Sequence, residues 1–94
     1  MRVYISGPIT GVENYKEKFN KAQEYLVEQG FNVINPAKIE FSDLSYEEYM
    51  KIDMTLLDLC EGIYMLEGWE GSCGANREYG FAWAKDMVIM MEVP

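Results

Sequence analysis

Two acidic residues, Asp53 and Glu78, lie beside apolar or small residues, at positions where a solvent-exposed carboxylate is not expected. Asp53 comes four residues after Tyr49 and three before Leu56, so on a helix it lies on or beside the apolar side. Glu78 is one turn away from small residues on each side, which leaves room for a ligand. Burying an unpaired carboxylate is costly, so such groups need a partner or a purpose. The alternatives are that Asp53 is a boundary residue reaching solvent and Glu78 a surface residue.

An anion site is predicted close to Glu78, at the start of the same helix. Ser72, Cys73 and Gly74 follow a glycine-rich loop, and the free N–H groups and positive dipole end of a helix N-terminus favour a phosphate or similar anion. Glu78 lies roughly 9 Å further along the helix axis, so a group bound at Ser72 could present an atom to it. The alternative is that Ser72 only caps the helix.

The composition excludes several other chemistries. The chain has no histidine, which removes Ser-His-Asp and Cys-His catalysis and most metal sites; acid–base chemistry is left to Asp, Glu, Tyr, Lys or Cys. Two cysteines are too few for a zinc site or a disulfide framework, so we expect neither metal nor cofactor. Cys60 is interpreted as core filling, and Cys73 is not ranked as a nucleophile. A net charge of −8 without a basic patch argues against a nucleic acid polymer as partner.

Hydrophobic periodicity and turn residues predict the order β-α-β-α-β-α-β. The predicted elements are a strand at Val3–Ser6, a helix from about Tyr15 to Gly30, a strand at Phe31–Ile34, a loop at Ala37–Leu44, a helix opened by a Ser45–Glu48 capping box, a strand at Gly62–Leu66, a loop at Glu67–Gly74, a helix at about Ser72–Lys85 and a strand at Met87–Met91. This alternation predicts one α/β domain, a flavodoxin-like three-layer sandwich with a four-stranded parallel sheet of order 2-1-3-4.

That strand order predicts where a ligand binds. Ligands of such sheets bind beyond the carboxyl ends of the strands, where the strand order reverses, here between strands 1 and 3. The two flanking loops, Gly7–Gly11 and Gly68–Gly74, contain most of the eight glycines. Glycine lets the backbone approach a ligand closely, although it also simply makes tight turns. Trp69 in the second loop either stacks on a planar ring or shields the end of the sheet.

The bulk properties add expectations about environment and assembly. No apolar stretch is long enough to span a membrane, and the N-terminal segment lacks the apolar core of a signal peptide, so we expect a cytoplasmic protein without a membrane partner. A domain of 94 residues buries a modest share of its surface, and pairing of subunits would stabilise it. A homo-oligomer is therefore expected.

The chain resembles the nucleoside 2-deoxyribosyltransferase superfamily over nearly its whole length, and looks most like short phage and bacterial members grouped as a domain of unknown function. The matching motifs are Tyr4-Ile5-Ser6-Gly7-Pro8-Ile9-Thr10-Gly11, Asn35-Pro36, Asp53-Met54-x-x-Leu57 and Gly74-Ala75-x-x-Glu78-x-Gly80-x-Ala82. The resemblance implies that residues 1–94 form one nucleoside 2-deoxyribosyltransferase-like domain.

The resemblance also implies roles for the residues that match. Glu78 falls on the nucleophilic glutamate, which would attack the anomeric carbon of a 2-deoxyribosyl group and form a covalent glycosyl-enzyme. Asp53 falls on the aspartate that positions the substrate and handles the proton at the base. Tyr4 and the loop Gly7, Pro8, Ile9 and Thr10 would line the sugar and base pocket.

Ser72 and Thr10 give opposite indications about the ligand. In the transferases the position of Ser72 is typically an aspartate; in related hydrolases of deoxynucleoside 5′-monophosphates it is a serine that contacts phosphate, so this chain leans toward a nucleotide. Those hydrolases have an arginine where this chain has Thr10, and the superfamily completes its site with C-terminal residues of a neighbouring subunit. We therefore predict N-glycosidic bond cleavage or transfer on a deoxynucleotide or deoxynucleoside. A non-catalytic nucleotide-binding module and a structural or interaction protein remain as alternatives.

Overall fold

The computed structural model describes residues 1–93, which form four β-strands, three α-helices and two short 3₁₀ turns. The strands are β1 (Arg2–Ser6), β2 (Asn32–Ile34), β3 (Gly62–Met65) and β4 (Val88–Met91). The helices are α1 (Tyr15–Glu28), α2 (Tyr46–Asp58) and α3 (Cys73–Ala84).

All strands are parallel and lie in the order β2-β1-β3-β4, which confirms the predicted sheet. In the register, Tyr4 is level with Ile34 on one side and with Ile63 on the other, and Ile63 is level with Ile89. The two central strands, β1 and β3, are almost entirely buried, as expected for parallel strands with helices over both faces.

The helices cover the two faces unequally, giving the three layers of a flavodoxin-like sandwich. One core contains Phe19, Ala22 and Leu26 of α1 packed on Val3 and Ile5. The other core lies under α2 and α3 and includes Tyr4, Leu57, Ile63, Met65, Ala75 and Ala82. Because side chains alternate along β1, Tyr4 and Ser6 point to the α2–α3 side of the sheet.

The helix starts follow the predicted capping residues. Ser45 and Glu48 form the complete capping box of α2, since the Ser45 hydroxyl accepts from the Glu48 N–H and the Glu48 carboxylate accepts from the Ser45 N–H. Ser72 caps α3 by accepting from the Ala75 N–H. None of the helices within residues 1–93 combines the length and the apolar character needed to cross a membrane.

Two segments predicted as loops contain a short 3₁₀ turn. Pro36–Lys38 begins one residue before the predicted loop at Ala37, because the Asn35 side chain accepts from the Ala37 N–H and starts the turn. The second turn, Trp69–Gly71, lies within the loop predicted at Glu67–Gly74 and leads directly into α3.

Candidate functional site

A cleft of about 890 Å³ opens beyond the carboxyl ends of β1 and β3. The loops after β1 and β2, the start of α2 and the start of α3 form its walls. Its lining includes Gly7, Pro8, Ile9, Thr10, Tyr46, Tyr49, Met50, Asp53, Ser72, Cys73, Gly74 and Glu78. The cleft lies where the strand order reverses, as the sequence predicted.

Glu78 lies at the back of this cleft with its carboxylate held by two hydroxyl groups. The side chain is only 5% exposed, so it is not the solvated surface residue considered as an alternative. The Tyr4 hydroxyl donates to Oε2 and the Ser6 hydroxyl donates to Oε1, each at 2.6 Å. Both oxygens are thus fixed from β1, and the orientation of the carboxylate is set before any ligand enters.

Burial dominates the ionisation of Glu78. Loss of solvent raises the pKa of its carboxyl from 4.5 to about 7, while the hydrogen bonds from Ser6 and Tyr4 act in the opposite direction and the nearby charge of Asp53 adds to the rise. Burial and the charge of Glu78 also raise the pKa of the Tyr4 hydroxyl well above its usual value. The site therefore holds a carboxyl group that changes charge near neutral pH.

Asp53 lines the same cleft from α2. Its side chain is partly buried, and desolvation raises the pKa of its carboxyl from 3.8 to about 6. The two carboxyl groups interact electrostatically, since the charge of Asp53 contributes to the raised pKa of Glu78. Neither takes part in a salt bridge within residues 1–93. Two carboxyl groups with raised pKa values in one cleft are suited to acid–base and nucleophilic chemistry.

The start of α3 forms the rim of the cleft opposite the first loop. Ser72 both caps the helix and lines the cleft, so the capping role and a ligand role do not exclude one another. The main chain at Cys73 and Gly74 lies in the first turn, where helix N–H groups have no partner inside the helix. A Cβ at Gly74 would lie 3.3 Å from the Tyr46 Oη and 3.4 Å from the Met50 Sδ, so glycine here allows α2 and α3 to approach.

The loop after β1 contributes its backbone and small side chains to the wall. A Cβ on Gly7 would lie 2.8 Å from the Leu66 Cβ, so glycine is required where this loop crosses the end of β3. Gly7, Pro8, Ile9 and Thr10 all line the cleft, together with Ser72 and Gly74.

Two of the residues predicted as substrate-binding lie elsewhere. Tyr4 is fully buried behind Glu78 and contacts its carboxylate rather than forming the cleft wall. Trp69 stacks on Tyr79, with ring centroids 4.7 Å apart and planes inclined by 25°, and packs against the α2–α3 core. This arrangement matches the interpretation of Trp69 as a shield for the end of the sheet.

Sequence reasoning missed Ser6, Tyr46 and Met50 as parts of the site. Ser6 carries a usable signal: it is two residues after Tyr4 on the same face of a buried strand, and a polar residue there needs a partner. Tyr46 and Met50 lie in the first turns of α2, where the apolar face alone does not distinguish a cleft wall from a core contact.

The side chains that line the cleft are acidic or uncharged. Three carboxylates line the cleft, those of Asp53, Glu78 and Glu40, and the last of these is paired with Lys16. No lysine or arginine is among the lining residues. Arg77 of α3 lies beside the rim, where it pairs with Glu47 at 2.8 Å and lies 6.0 Å from the ring of Tyr46, which lines the cleft. Within residues 1–93 no three acidic or cysteine side chains are grouped as a metal would need.

Comparison with known proteins places the chain in a family. No curated protein matches it. The sequence profile of a domain of unknown function, DUF4406, matches residues 1–91, which include every element and every side chain of the cleft. The chain therefore belongs to the DUF4406 family.

Proposed function

We propose that the protein cleaves or transfers the N-glycosidic bond of a deoxynucleotide or deoxynucleoside, with Glu78 as the nucleophile. The observation that carries the proposal is the Glu78 carboxylate, buried at the back of an open cleft and held by Tyr4 and Ser6. The sequence resemblance to the nucleoside 2-deoxyribosyltransferase superfamily supports the same role for this residue.

The proposed first step forms a covalent glycosyl-enzyme. A carboxylate oxygen of Glu78 bonds to the anomeric carbon of the sugar, the bond from that carbon to the base nitrogen breaks, and its electron pair leaves with the base. Asp53 lines the same cleft and is the second carboxyl group available to give the departing base its proton. Water or a second base then attacks the same carbon and releases Glu78.

The rim of the cleft offers hydrogen-bond donors that could bind a phosphate or a hydroxyl group at the 5′ end of the sugar. The Ser72 hydroxyl and the main-chain N–H groups at the start of α3 are donors that suit an anion. No basic side chain lines the cleft to reinforce them. Nucleotide and nucleoside are therefore separate arms of the test.

The test is incubation with 2′-deoxynucleosides and their 5′-monophosphates, with ribonucleosides as a further arm, while free base is followed by chromatography. We expect base release by the native protein and a loss of at least about a hundredfold in Glu78→Gln, as for removal of a covalent nucleophile. Glu70→Gln, the same substitution at an exposed residue outside the cleft lining, is the matched control. Equal release by the native protein and Glu78→Gln, or no release from any substrate, contradicts the proposal.

A second candidate is a nucleotide-binding module that does not turn its ligand over. Thr10 in the first loop favours it, because the related deoxynucleotide hydrolases that the sequence resembles have an arginine at this position. Calorimetric titration distinguishes the two: saturable binding of a deoxynucleotide without base release supports the module.

A further inference from the structure

The contact between α2 and α3 borders the cleft and contains an ion pair. Gly74 and Arg77 are three residues apart in α3, so they lie on the same face of the helix. Across from them, Tyr46 and Glu47 are the first two residues of α2. Arg77 donates from both terminal nitrogens to the two carboxylate oxygens of Glu47, at 2.8 and 3.3 Å. This two-point geometry sets the position of the guanidinium at the contact.

Tyr46 joins this contact to the cleft. Its side chain is part of the cleft lining. A Cβ at Gly74 would lie 3.3 Å from the Tyr46 Oη, so the hydroxyl lies against the first turn of α3. The Arg77 guanidinium carbon is 6.0 Å from the centre of the Tyr46 ring. One side chain therefore contacts both the interior of the cleft and a cation that does not itself line the cleft.

The hydroxyl of Tyr46 differs in its surroundings from two other tyrosine hydroxyls at the site. The Tyr4 hydroxyl donates to Glu78. The Tyr49 hydroxyl donates to the Phe41 carbonyl and accepts from the Phe41 N–H, so it is used to hold the loop after β2. The Tyr46 hydroxyl lies at the rim, and burial raises its pKa, so it is a protonated donor at neutral pH.

We propose that Tyr46 and Arg77 recognise the 5′-phosphate of the substrate, Tyr46 through a hydrogen bond from its hydroxyl and Arg77 through its positive charge. This inference rests on the function proposed above and assigns the residues that distinguish a nucleotide from a nucleoside. Tyr46 is then a binding residue. Arg77 is a positioning residue, which holds the Tyr46 ring and places a cation beside the phosphate.

The charges of the cleft favour a contribution from Arg77. A phosphate monoester would bring about two negative charges into a cleft lined by the carboxyl groups of Asp53, Glu78 and Glu40. The charge of Arg77 acts inside this cleft: burial is the main cause of the raised pKa of Glu78, and Arg77 opposes that rise. A second cation near the lining, Lys16, belongs to α1 and is paired with Glu40.

Glu47 allows recognition of a phosphate to be distinguished from a purely structural ion pair. If the pair only joins α2 to α3, loss of either partner loosens the same contact. If Arg77 attracts a phosphate, Glu47 competes with that phosphate, and its removal leaves the charge of the arginine uncompensated. Arg77→Gln and Glu47→Gln should then change phosphate binding in opposite directions, and both effects should shrink as salt is added.

Calorimetric titration in a Glu78→Gln background tests the proposal without turnover of the ligand. The probes are the four common 2′-deoxynucleoside 5′-monophosphates and the four matching 2′-deoxynucleosides. Tyr46→Phe and Arg77→Gln should each weaken binding of a monophosphate by about threefold or more and leave the nucleoside unchanged. Arg77→Lys should retain most of the affinity, and Glu47→Gln should raise the affinity for the monophosphate.

Tyr25→Phe and Lys16→Gln are the matched controls. Tyr25 is 50% exposed against 46% for Tyr46, but it lies on α1 outside the cleft lining. Lys16 is a cation paired with a carboxylate of the lining, as Arg77 is paired beside it. Neither substitution should change binding of the monophosphate. A loss caused by Lys16→Gln and not by Arg77→Gln overturns the assignment.

Three further results overturn the proposal. They are an equal loss for nucleotide and nucleoside in Tyr46→Phe or Arg77→Gln, weaker binding in Glu47→Gln, and no binding of any monophosphate. Failure of the proposed reaction is recognised separately. The predicted split between nucleotide and nucleoside, without base release by the native protein, supports the recognition pair and contradicts the reaction. Base release without that split supports the reaction and contradicts the pair.

Discussion

At Glu78, burial and hydrogen bonding act on one carboxyl group in opposite directions. Desolvation favours the protonated form, and the hydroxyls of Tyr4 and Ser6 favour the charged form. Burial is the larger effect, so the carboxyl has a pKa of about 7 rather than 4.5. The two hydroxyls therefore influence how much of the Glu78 carboxyl group is ionised at neutral pH as well as where it points.

Removing the Ser6 hydroxyl should raise the pKa of Glu78 further. In Ser6→Ala the Oε1 atom loses its donor, and a hydrogen bond to a charged group contributes enough to move the pKa by about one unit. The measurement is an NMR titration of the Glu78 side-chain carboxyl carbon.

Thr55→Ala is the control for this titration. Its hydroxyl donates to the Lys51 carbonyl on the exposed side of α2, so its removal should leave the Glu78 titration unchanged. A Glu78 pKa that stays the same or falls in Ser6→Ala contradicts the positioning role of Ser6.

On the scale of secondary-structure elements, the cleft depends on how closely α3 approaches α2. Gly74 lies at the contact, and its missing Cβ leaves room for Tyr46 and Met50. Gly80, six residues later in the same helix, faces open space. Both glycines are helical, but a methyl group added at Gly74 would contact Tyr46 and Met50, whereas one added at Gly80 would contact no neighbouring residue.

This difference predicts unequal effects of the same substitution at the two glycines. Gly80→Ala should increase the free energy of unfolding by about 0.5–1 kcal/mol, because alanine favours the helix and meets no neighbour. Gly74→Ala should give less than that gain or a loss, because Tyr46 and Met50 must shift. Urea denaturation of both variants measures the effect, and an equal gain in the two would contradict the close contact.

The elements themselves were largely predictable from the sequence because each carries a local signal. Ser45 with Glu48 and Ser72 marked the starts of α2 and α3, and the short apolar strands between helices predicted the parallel sheet order. The two 3₁₀ turns were not predicted, since Pro36–Lys38 depends on one side-chain hydrogen bond from Asn35 and has no periodicity of its own.

The contacts within the site were less predictable. Glu78 and Asp53 stood out by type and spacing, but the Ser6–Glu78 hydrogen bond joins residues 72 positions apart. Trp69 shows the same limit, because its stacking on Tyr79 depends on how the 3₁₀ turn meets α3. Such pairings arise only once the layers are assembled.

For the whole molecule, the raised carboxyl pKa values predict that stability falls as pH rises. The folded state binds a proton at Glu78 more tightly than the unfolded chain, so the stabilisation is fully present below about pH 4.5 and is lost as pH rises through about 7. Asp53 acts in the same direction between about 3.8 and 6. From pH 5 to 8, Glu78 alone should remove about 2–3 kcal/mol.

Denaturation at several pH values checks this prediction. Glu78→Gln should show a smaller fall in the free energy of unfolding between pH 5 and 8 than the native protein, and Glu70→Gln should show the same fall as the native protein. A stability that rises over this interval, or an unchanged slope in Glu78→Gln, contradicts the assignment of the raised pKa to this residue.

Both hydroxyl donors to Glu78 are carried by β1, a strand paired on each side within the sheet. Fraying of an edge strand or of a loop does not by itself separate them from the carboxylate; separation requires that α3 leave the face of the sheet. The geometry of the site therefore depends on α3 remaining packed on β1. Substitutions that loosen the packing of α3 on the sheet should lower the fraction of molecules in which the Glu78 carboxylate is held in this orientation, even when they lie far from the cleft.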